Sequence, residues 1–582
     1  MSLHQSNTDR HPVPTRRQST VFRLKTLLLQ SRRVVQGIFD SNLKRFPRSE
    51  QYSDLPVVAD SRSKLWSENS AAERALVAGK IHNLRLAVRR LDGVEVGPNE
   101  VFSFWKHVGR ASRFRGFVKG RELREGCIIP SIGGGLCQLS NALYDAALKS
   151  GFEIIERHPH TRVVDGSLAE VGRDATVFWN YVDLRFASPL PFRIEAKLDG
   201  ENLRVRFRAD KRHNGKLHSI SKSDGRLETP HSCMTCGVDD CHRVVKPAPD
   251  VNFGKTAYLV DEFWPEFDEY IGDAKKPDDT LFIPIDGKRF NRANYAWSTG
   301  GFAKVEKSVY VVGSRSFSSR KLAGQGAARQ LNLIKNYEKL ALSYSRRLTF
   351  EDLHLVVQQE LLPYLWREGV LGGRTFDVMM TALPMHSIQA RLDFAFSLHP
   401  DSRTLADFRA DRGLVQAERE ALENARRIIT SHSEIAALFE DRVTLVDWKI
   451  PERQKRPFAI GRKPLVVFPA TTVARKGCYE LRDALRGLDV RILTLGPKIE
   501  AEHFWRDFDI EENSNNWLEH ADVVVLPAHV EHRPRRLLHA TALGIPVIAT
   551  RACGISGLAG VELVDAGDAA GLGAKIRNIF GG

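Results

Sequence analysis

Cys137 stands in PSIGGGLCQLSNALYDAALKSG (residues 130–151), directly after three glycines and at the start of a run with helical apolar spacing. A cysteine in the first turn of a helix lies among N–H groups without intrahelical partners and near the positive end of the helix dipole. Both features favour thiolate. Gly133, Gly134 and Gly135 permit a sharp turn and close approach of a substrate, so backbone N–H groups could hold an oxyanion. Downstream, ERHPHT supplies His158 and His160, which share a face if the segment is extended, although Pro159 between them disfavours a central strand. Asp174 in GRDAT and Asp183 in NYVDLRF are candidates to orient an imidazole. This order fits cysteine-dependent acyl transfer or amide hydrolysis, with Cys137 as nucleophile, His158 or His160 as base and Asp183 in the expected catalytic set. Two other readings stay open: a metal ligand beside the two histidines, and a small residue packed under a tight turn.

A second cluster, HSCMTCGVDDCHR (residues 231–243), spaces Cys233, Cys236 and Cys241 as C-x2-C-x4-C, with His242 directly after. Three thiolates and an imidazole suit tetrahedral zinc, the expected cofactor; an iron–sulfur cluster or a reversible disulfide are the alternatives. The surrounding segment is polar and loop-rich, so a metal would supply the core it lacks. The motif opens like a zinc knuckle, but Lys246 stands where that pattern has its final cysteine. A third set lies in FPATTVARKGCYELRDAL (residues 468–485), where Arg475 and Lys476 precede a helix opened by Gly477. Cations at such a turn suit a diphosphate.

The elements that hold these residues follow from pattern and composition. At 582 residues the chain exceeds one hydrophobic core, and about three to four domains are expected. With 42% hydrophobic residues, no apolar run of roughly 18 and no apolar signal core, it reads as a globular cytoplasmic protein. The net charge of +15 is uneven: residues 1–50 hold ten Lys/Arg against three Asp/Glu. In this basic arm (1–55) Leu24, Leu27, Leu28, Val35 and Ile38 fall near one helical face, among Arg23, Lys25, Arg32 and Arg33. Such a helix suits an anionic membrane surface, placing the protein at the membrane's inner face, or it packs on the protein with its charges solvated. Nucleic acid is the weaker partner, because no nucleic-acid motif accompanies the charge.

An α+β domain (56–210) follows, then the cysteine-rich connector (211–250). Beyond it, apolar runs at KTAYLVDEF, LFIPI, SVYVVG, FDVMMTALP and RRIITSH alternate with helical patterns, as do PLVVFPA, VRILTLG, DVVVLPA, IPVIAT and VELVDA. These two series predict tandem α/β Rossmann-like domains (251–450 and 451–582) with parallel sheets and a ligand cleft at the strands' carboxyl ends.

Four stretches, KIHNLRLAVRRLDGVEVGPNEVFSFWKHVG, IGGGLCQLSNALYDAAL, ERHPHT and GRDATVFWNYVDLRF, together resemble the VanW family over about residues 75–195. The resemblance implies a shared functional surface around Gly133, Gly134, Gly135, Cys137, Gln138, His158 and His160, in an envelope context, without naming a reaction. FPATTVARKGCYELRDAL and ADVVVLPAHVEHRPRRLLHATALGIPVIAT look like the nucleotide-sugar half of GT-B glycosyltransferases. There the resemblance implies that Arg475, Lys476 and Arg535 or Arg536 contact the donor diphosphate and that Glu531 addresses the donor. The chain departs from that pattern at His539, where a second glutamate is usual, at Thr471, where an arginine is usual, and at HRPRR, where a glycine-rich turn is usual. Acceptor-side candidates are Asp261, Glu262, His386 and Asp407. The expected function is transfer of a sugar from a nucleotide donor to an envelope or secondary-metabolite acceptor. The alternatives are cysteine chemistry in the VanW-like domain with the GT-B-like region as scaffold, and a non-enzymatic binding protein.

Overall fold

The computed structural model describes residues 15–39, 43–66, 71–124, 127–160, 167–212, 231–233, 241–242, 253–320, 327–406, 409–452, 462–512 and 516–581. They form two compact units: Met1–Gly254 with Thr349–Leu353 and Gly369–Arg374, and Lys255–Leu348 with His354–Glu368 and Thr375–Gly582.

In the first unit the elements are α1 (Arg16–Phe39), β1 (Val57–Lys64), α2 (Ala71–Leu91), β2 (Val94–Val96), β3 (Val101–Ser103), α3 (Phe104–Val108), β4 (Lys119–Arg124), β5 (Cys127–Ile132), α4 (Leu136–Lys149), β6 (Glu153–Glu156), β7 (Arg185–Ala187), β8 (Phe192–Leu198), β9 (Asn202–Ala209) and β10 (His231–Ser232). An antiparallel sheet of order β1-β9-β8-β2 carries α2 and α4. The alternation of FRIEAKL and NLRVRFRA sends Phe192, Ile194, Phe207 and Val205 inward, while Arg204 and Arg208 pair on the outer face with Asp60 and Glu195. Each large apolar side chain so buried contributes about 1.5–3 kcal/mol. Smaller sheets β10-β5-β4 and β3-β7-β6 flank this core. The basic arm's helix packs here on one flank: Gln30 Nε2 donates to the Trp179 carbonyl (3.0 Å), and Arg33 pairs with Glu156 (2.5 Å). Its other flank exposes Val21, Leu24, Leu27 and Leu28.

The second unit holds β11 (Lys255–Leu259), α5 (Pro265–Ala274), β12 (Thr280–Ile283), β13 (Lys304–Lys307), α6 (Val309–Arg320), α7 (Ala327–Ser345), β14 (Asp352–Gln358), α8 (Leu362–Arg367), β15 (Thr375–Met379), α9 (Met385–Leu398), α10 (Arg412–Asn424), β16 (Arg427–Thr430), α11 (Ser433–Leu438) and β17 (Val443–Leu445). A further series follows: β18 (Leu465–Phe468), α12 (Cys478–Ala484), β19 (Arg491–Thr494), β20 (Asp509–Ile510), α13 (Trp517–His520), β21 (Val523–Leu526), α14 (Arg535–Ala542), β22 (Val547–Ala549), β23 (Val561–Leu563) and α15 (Ala569–Phe580). They make two sheets, ordered β13-β12-β11-β14-β15-β16-β17 and β20-β19-β18-β21-β22-β23. Every strand pair of the second sheet is parallel. LVVF and VVVL are buried along their whole length, as strands covered on both faces require. The order reverses between β11 and β14 in one sheet and between β18 and β21 in the other, which sets a crevice at each switch point.

One expected strand is different. VYVVG of SVYVVG forms the start of α6: Val311 is buried there, while the preceding Val309 and Tyr310 are exposed. A central strand would bury them consecutively; a short apolar run does not distinguish the two.

The two sheets of this unit are joined by buried charge. Arg535 grips Glu266 through two bonds of 2.6 Å, and the fully buried Glu266 also accepts the Lys449 N–H at 2.9 Å. Trp264 and Trp448 lie under the guanidinium. Replacing Glu266 by Ala strands the cation in a desolvated seam, and thermal or urea unfolding is expected to register a loss of about 3–5 kcal/mol. A loss under about 0.5 kcal/mol contradicts this role.

Candidate functional site

Close packing explains the glycine loop before α4. Gly135 has φ +98°, and a Cβ on it would lie 2.2 Å from Lys80 Cγ; one on Gly134 would lie 2.5 Å from the Gly120 carbonyl of β4. The buried Asn83 of α2 clamps the loop, donating from Nδ2 to the Val118 and Gly134 carbonyls at 3.0 Å each. Gln138 Nε2 fastens α4 to β1 through Ser63 Oγ (3.0 Å) and the Lys64 carbonyl (2.8 Å).

On its other face α4 takes hold of GRDAT. Ser140 Oγ donates to the Ala175 carbonyl at 2.5 Å, and Asn141 Oδ1 accepts the Ala175 N–H at 2.7 Å. The fully buried Asp174 beside it meets His160 twice, Oδ1 at 2.5 Å from the ring Nδ1 and Oδ2 accepting the backbone N–H at 2.5 Å. Asp174 thus holds Nδ1, and the Cys137 side chain also interacts with the ring. Burial pushes the imidazole down, but the bonds to Asp174 and Cys137 outweigh it and lift it to about 10. Cys137 Sγ lies 3.8 Å from the Val177 carbonyl. Cys137, His160, Gln138 and the three glycines line one cavity of about 590 Å³.

The other members of the expected catalytic set lie elsewhere. His158 is half exposed, with Nε2 3.5 Å from Glu156, and only its backbone carbonyl joins the assembly, accepting from Thr176 at 2.7 Å. Asp183 is buried at the start of α3, where it accepts from Ser103 Oγ (2.6 Å), the Trp105 N–H (3.1 Å) and Arg185 (3.1 Å). The carboxylate on His160 is thus Asp174. Ser140 and Asn141, which hold the arrangement together, lie on the α4 face at i+3 and i+4 from Cys137, and that spacing is their sequence signal.

Of the expected metal ligands, Cys236 lies outside the described residues. Cys233 is buried, its N–H donating to the Ile128 carbonyl at 3.0 Å, and His242 Nε2 stands 3.2 Å from Ser19 Oγ. Among the described residues no three His, Cys, Asp or Glu side chains are gathered to hold a metal, so the zinc or iron–sulfur expectation is without support.

In the second unit, Lys476 and Glu531 stand on the loops after β18 and β21, at that sheet's switch point, 2.8 Å apart. Gly477 lets the loops meet: at φ +78° a Cβ would lie 2.0 Å from the Pro527 carbonyl. The Arg475 carbonyl accepts the His529 and Val530 N–H groups at 3.0 and 3.2 Å. Burial pushes the Glu531 carboxyl up, but Lys476, His532 and the Arg533 N–H outweigh it and bring it to about 2. Arg533 reaches Glu262 beyond β11 at 2.5 Å, so the two switch points face each other. Arg535 is engaged by Glu266, and Arg536 by the Pro469 and Leu495 carbonyls at 2.8 and 2.9 Å. Asp261 is paired with Arg315 (2.5 and 2.7 Å), His386 and His539 are exposed, and Asp407 lies outside the described residues. Glu360, at the end of β14, was not singled out by its sequence. Burial, with the Asp261 and Glu262 charges adding to it, pushes its carboxyl up to about 7.

Residues 79–208 match the family model described as VanW like protein, and residues 480–581 match Glycosyl transferases group 1. The chain carries a VanW-like domain and a group 1 glycosyltransferase domain. It is similar to the uncharacterized protein YoaR of Bacillus subtilis (strain 168), 34% identical over 25% of this chain and 48% of that protein. It is also similar to the vancomycin B-type resistance protein VanW of Enterococcus faecalis (strain ATCC 700802 / V583), 29% identical over 28% of this chain and 64% of that protein. The chain thus spans less than two thirds of these curated relatives' length. Among solved structures, Anabaena Alr3699/HepE in complex with UDP-glucose matches 56% of this chain and 90% of its own, at 15% identity and a TM-score of 0.32.

The raised His160 value carries a stability signature. Its contribution is full below about 6.5 and is lost as pH rises through about 10. The stability difference between the protein and His160→Gln, from urea unfolding, should therefore shrink between pH 7 and pH 10.5; a difference constant over that range contradicts the pairing.

Proposed function

We propose that the second unit transfers a sugar from a nucleoside diphosphate donor, with the diphosphate at the β18/β21 switch point. The observation that carries this reading is Lys476 beside Glu531 on the two switch-point loops, facing the first sheet's switch point across the Arg533–Glu262 contact. A donor diphosphate exchanges for Glu531 as the partner of Lys476, and Arg475 adds a second cation. Neutralising the leaving diphosphate is then the main catalytic contribution. Glu360, which gains or loses its proton near neutrality, takes the acceptor's proton. The test is turnover of uridine, guanosine and adenosine diphosphate sugars. Lys476→Ala should lose about 100- to 1000-fold in turnover with the donor that the protein accepts. Glu360→Gln should keep nucleotide binding and lose transfer. Undiminished turnover in Lys476→Ala rules the reading out.

The acceptor in this reading is an envelope or secondary-metabolite compound at the membrane's inner face, where α1 is the anchor. Supporting it, α1 exposes Val21, Leu24, Leu27 and Leu28 beside Arg16, Arg17, Lys25 and Arg32. The protein should sediment with phosphatidylglycerol vesicles and not with phosphatidylcholine vesicles, and Leu24→Glu/Leu28→Glu should release it. Equal sedimentation of that double variant counts against the anchor.

A further inference from the structure

The cavity of the first unit has an aromatic side that neither Cys137 nor the sugar-transfer reading of the second unit accounts for. We propose that it binds a neutral oligosaccharide, with pyranose rings seated against tryptophan. Three of the chain's nine tryptophans, Trp66, Trp105 and Trp179, line this space of about 590 Å³, and all three are half-buried. Trp66 and Trp105 rest against the apolar core. Trp105 is fixed there, its backbone N–H donating to Asp183 Oδ1 at 3.1 Å and its indole Nε1 to the Val182 carbonyl at 2.8 Å.

The Trp179 ring stands 5.5 Å from that of Trp105 and at 89° to it, so the two make a corner and not a slot. A flat nucleobase is best held between parallel faces. A puckered sugar ring suits the corner, because its weakly positive C–H groups can meet the negative face of an indole while its hydroxyls point elsewhere. Burying the C–H surface supplies affinity, and a few placed polar groups supply orientation.

Polar groups of that kind stand on the same wall. Gln138 spends Nε2 on Ser63 and Lys64, which leaves its Oε1; Asn141 spends Oδ1 on the Ala175 N–H, which leaves its amide donors. Thr176 Oγ1 is buried without a partner among the described residues, a state that marks the place of a ligand or an ordered water. The charges of the wall are committed within the protein: Arg124 to Glu122 at 2.5 Å, Arg121 to Glu73 at 3.2 Å, and Lys80 Nζ to the Leu65 carbonyl at 2.7 Å. Lys64 and Arg110 are exposed, where solvent and salt screen them. What the cavity offers is thus aromatic surface and neutral hydrogen-bonding groups, the chemistry of an uncharged glycan.

The test titrates the full chain with chitotetraose, a neutral sugar chain whose equatorial substituents leave flat C–H faces, and follows tryptophan emission and saturation-transfer NMR. The expected result is a saturable change with half-saturation at about 1 mM or below, and transfer from protein aromatic protons to the sugar C–H protons. Trp179→Ala should weaken binding by about 10-fold or more. Trp179→Phe keeps an aromatic face and covers the case in which the alanine variant misfolds; it should stay within about 3-fold of the parent protein. Lys476→Ala should bind the sugar as the parent does, which separates this site from the fate of the sugar-transfer reading. No saturable binding, equal affinity in Trp179→Ala, or a loss confined to Lys476→Ala overturns the proposal.

Discussion

Two hydrogen bonds fix the geometry around Cys137 in the first unit: Ser140 and Asn141 of α4 take the carbonyl and the N–H of a single residue, Ala175. All four groups are buried, so leaving any one unpaired costs about 1–3 kcal/mol. The helix that carries Cys137 and the segment that carries Asp174 are thereby held in one relation. Asp174 has no exposure, and its two oxygens are both spent on His160. The glycine loop is bound just as tightly on the other side, wedged between Lys80 and Gly120 and clamped by Asn83. The cavity's inner end is thus built on rigid elements, as a preorganised site requires.

The second unit solves a different problem, the joining of two parallel sheets whose switch points must face each other. It does so with charge: Arg535 on Glu266, Arg533 on Glu262, and the buried Glu480 accepting from His399 and His529 at 3.1 and 2.8 Å. Burial raises the Glu480 carboxyl, but the two imidazoles outweigh it and hold it at about 2. Such pairs fix geometry more than they add stability, because desolvation offsets much of the Coulombic gain. They also explain why Arg535, expected from the glycosyltransferase resemblance to contact the donor, stands instead in the seam. The HRPRR segment supplies two of the arginines that tie the halves together.

Continuous apolar strands such as LVVF and VVVL were legible because burial on both faces leaves no polar position in them. So were the alternating β8 and β9, where one face is solvated. SVYVVG misled because a short apolar run has no period to separate helix from strand. Cys137 and His160 were legible from residue type and order. The choice between Asp174 and Asp183 was not, since both precede apolar residues in similar patterns and only the α4–Ala175 link selects one. Glu360 was invisible for a related reason: its carboxyl is raised by burial in the folded chain, to which the charges of Asp261 and Glu262, about a hundred positions away, add. The cysteine cluster has the spacing of a metal motif, but spacing does not reveal that Cys233 continues the β10–β5 pairing.

The central claim is that Asp174 and Cys137 together hold a proton on His160. Its most direct measurement is a pH titration of the His160 ring nitrogens by NMR, on protein labelled in histidine and assigned with His160→Gln. The account predicts both nitrogens protonated at neutral pH with a midpoint near 10, falling when Cys137 is replaced by Ala. A midpoint near 6.5, unmoved by that replacement, would contradict it.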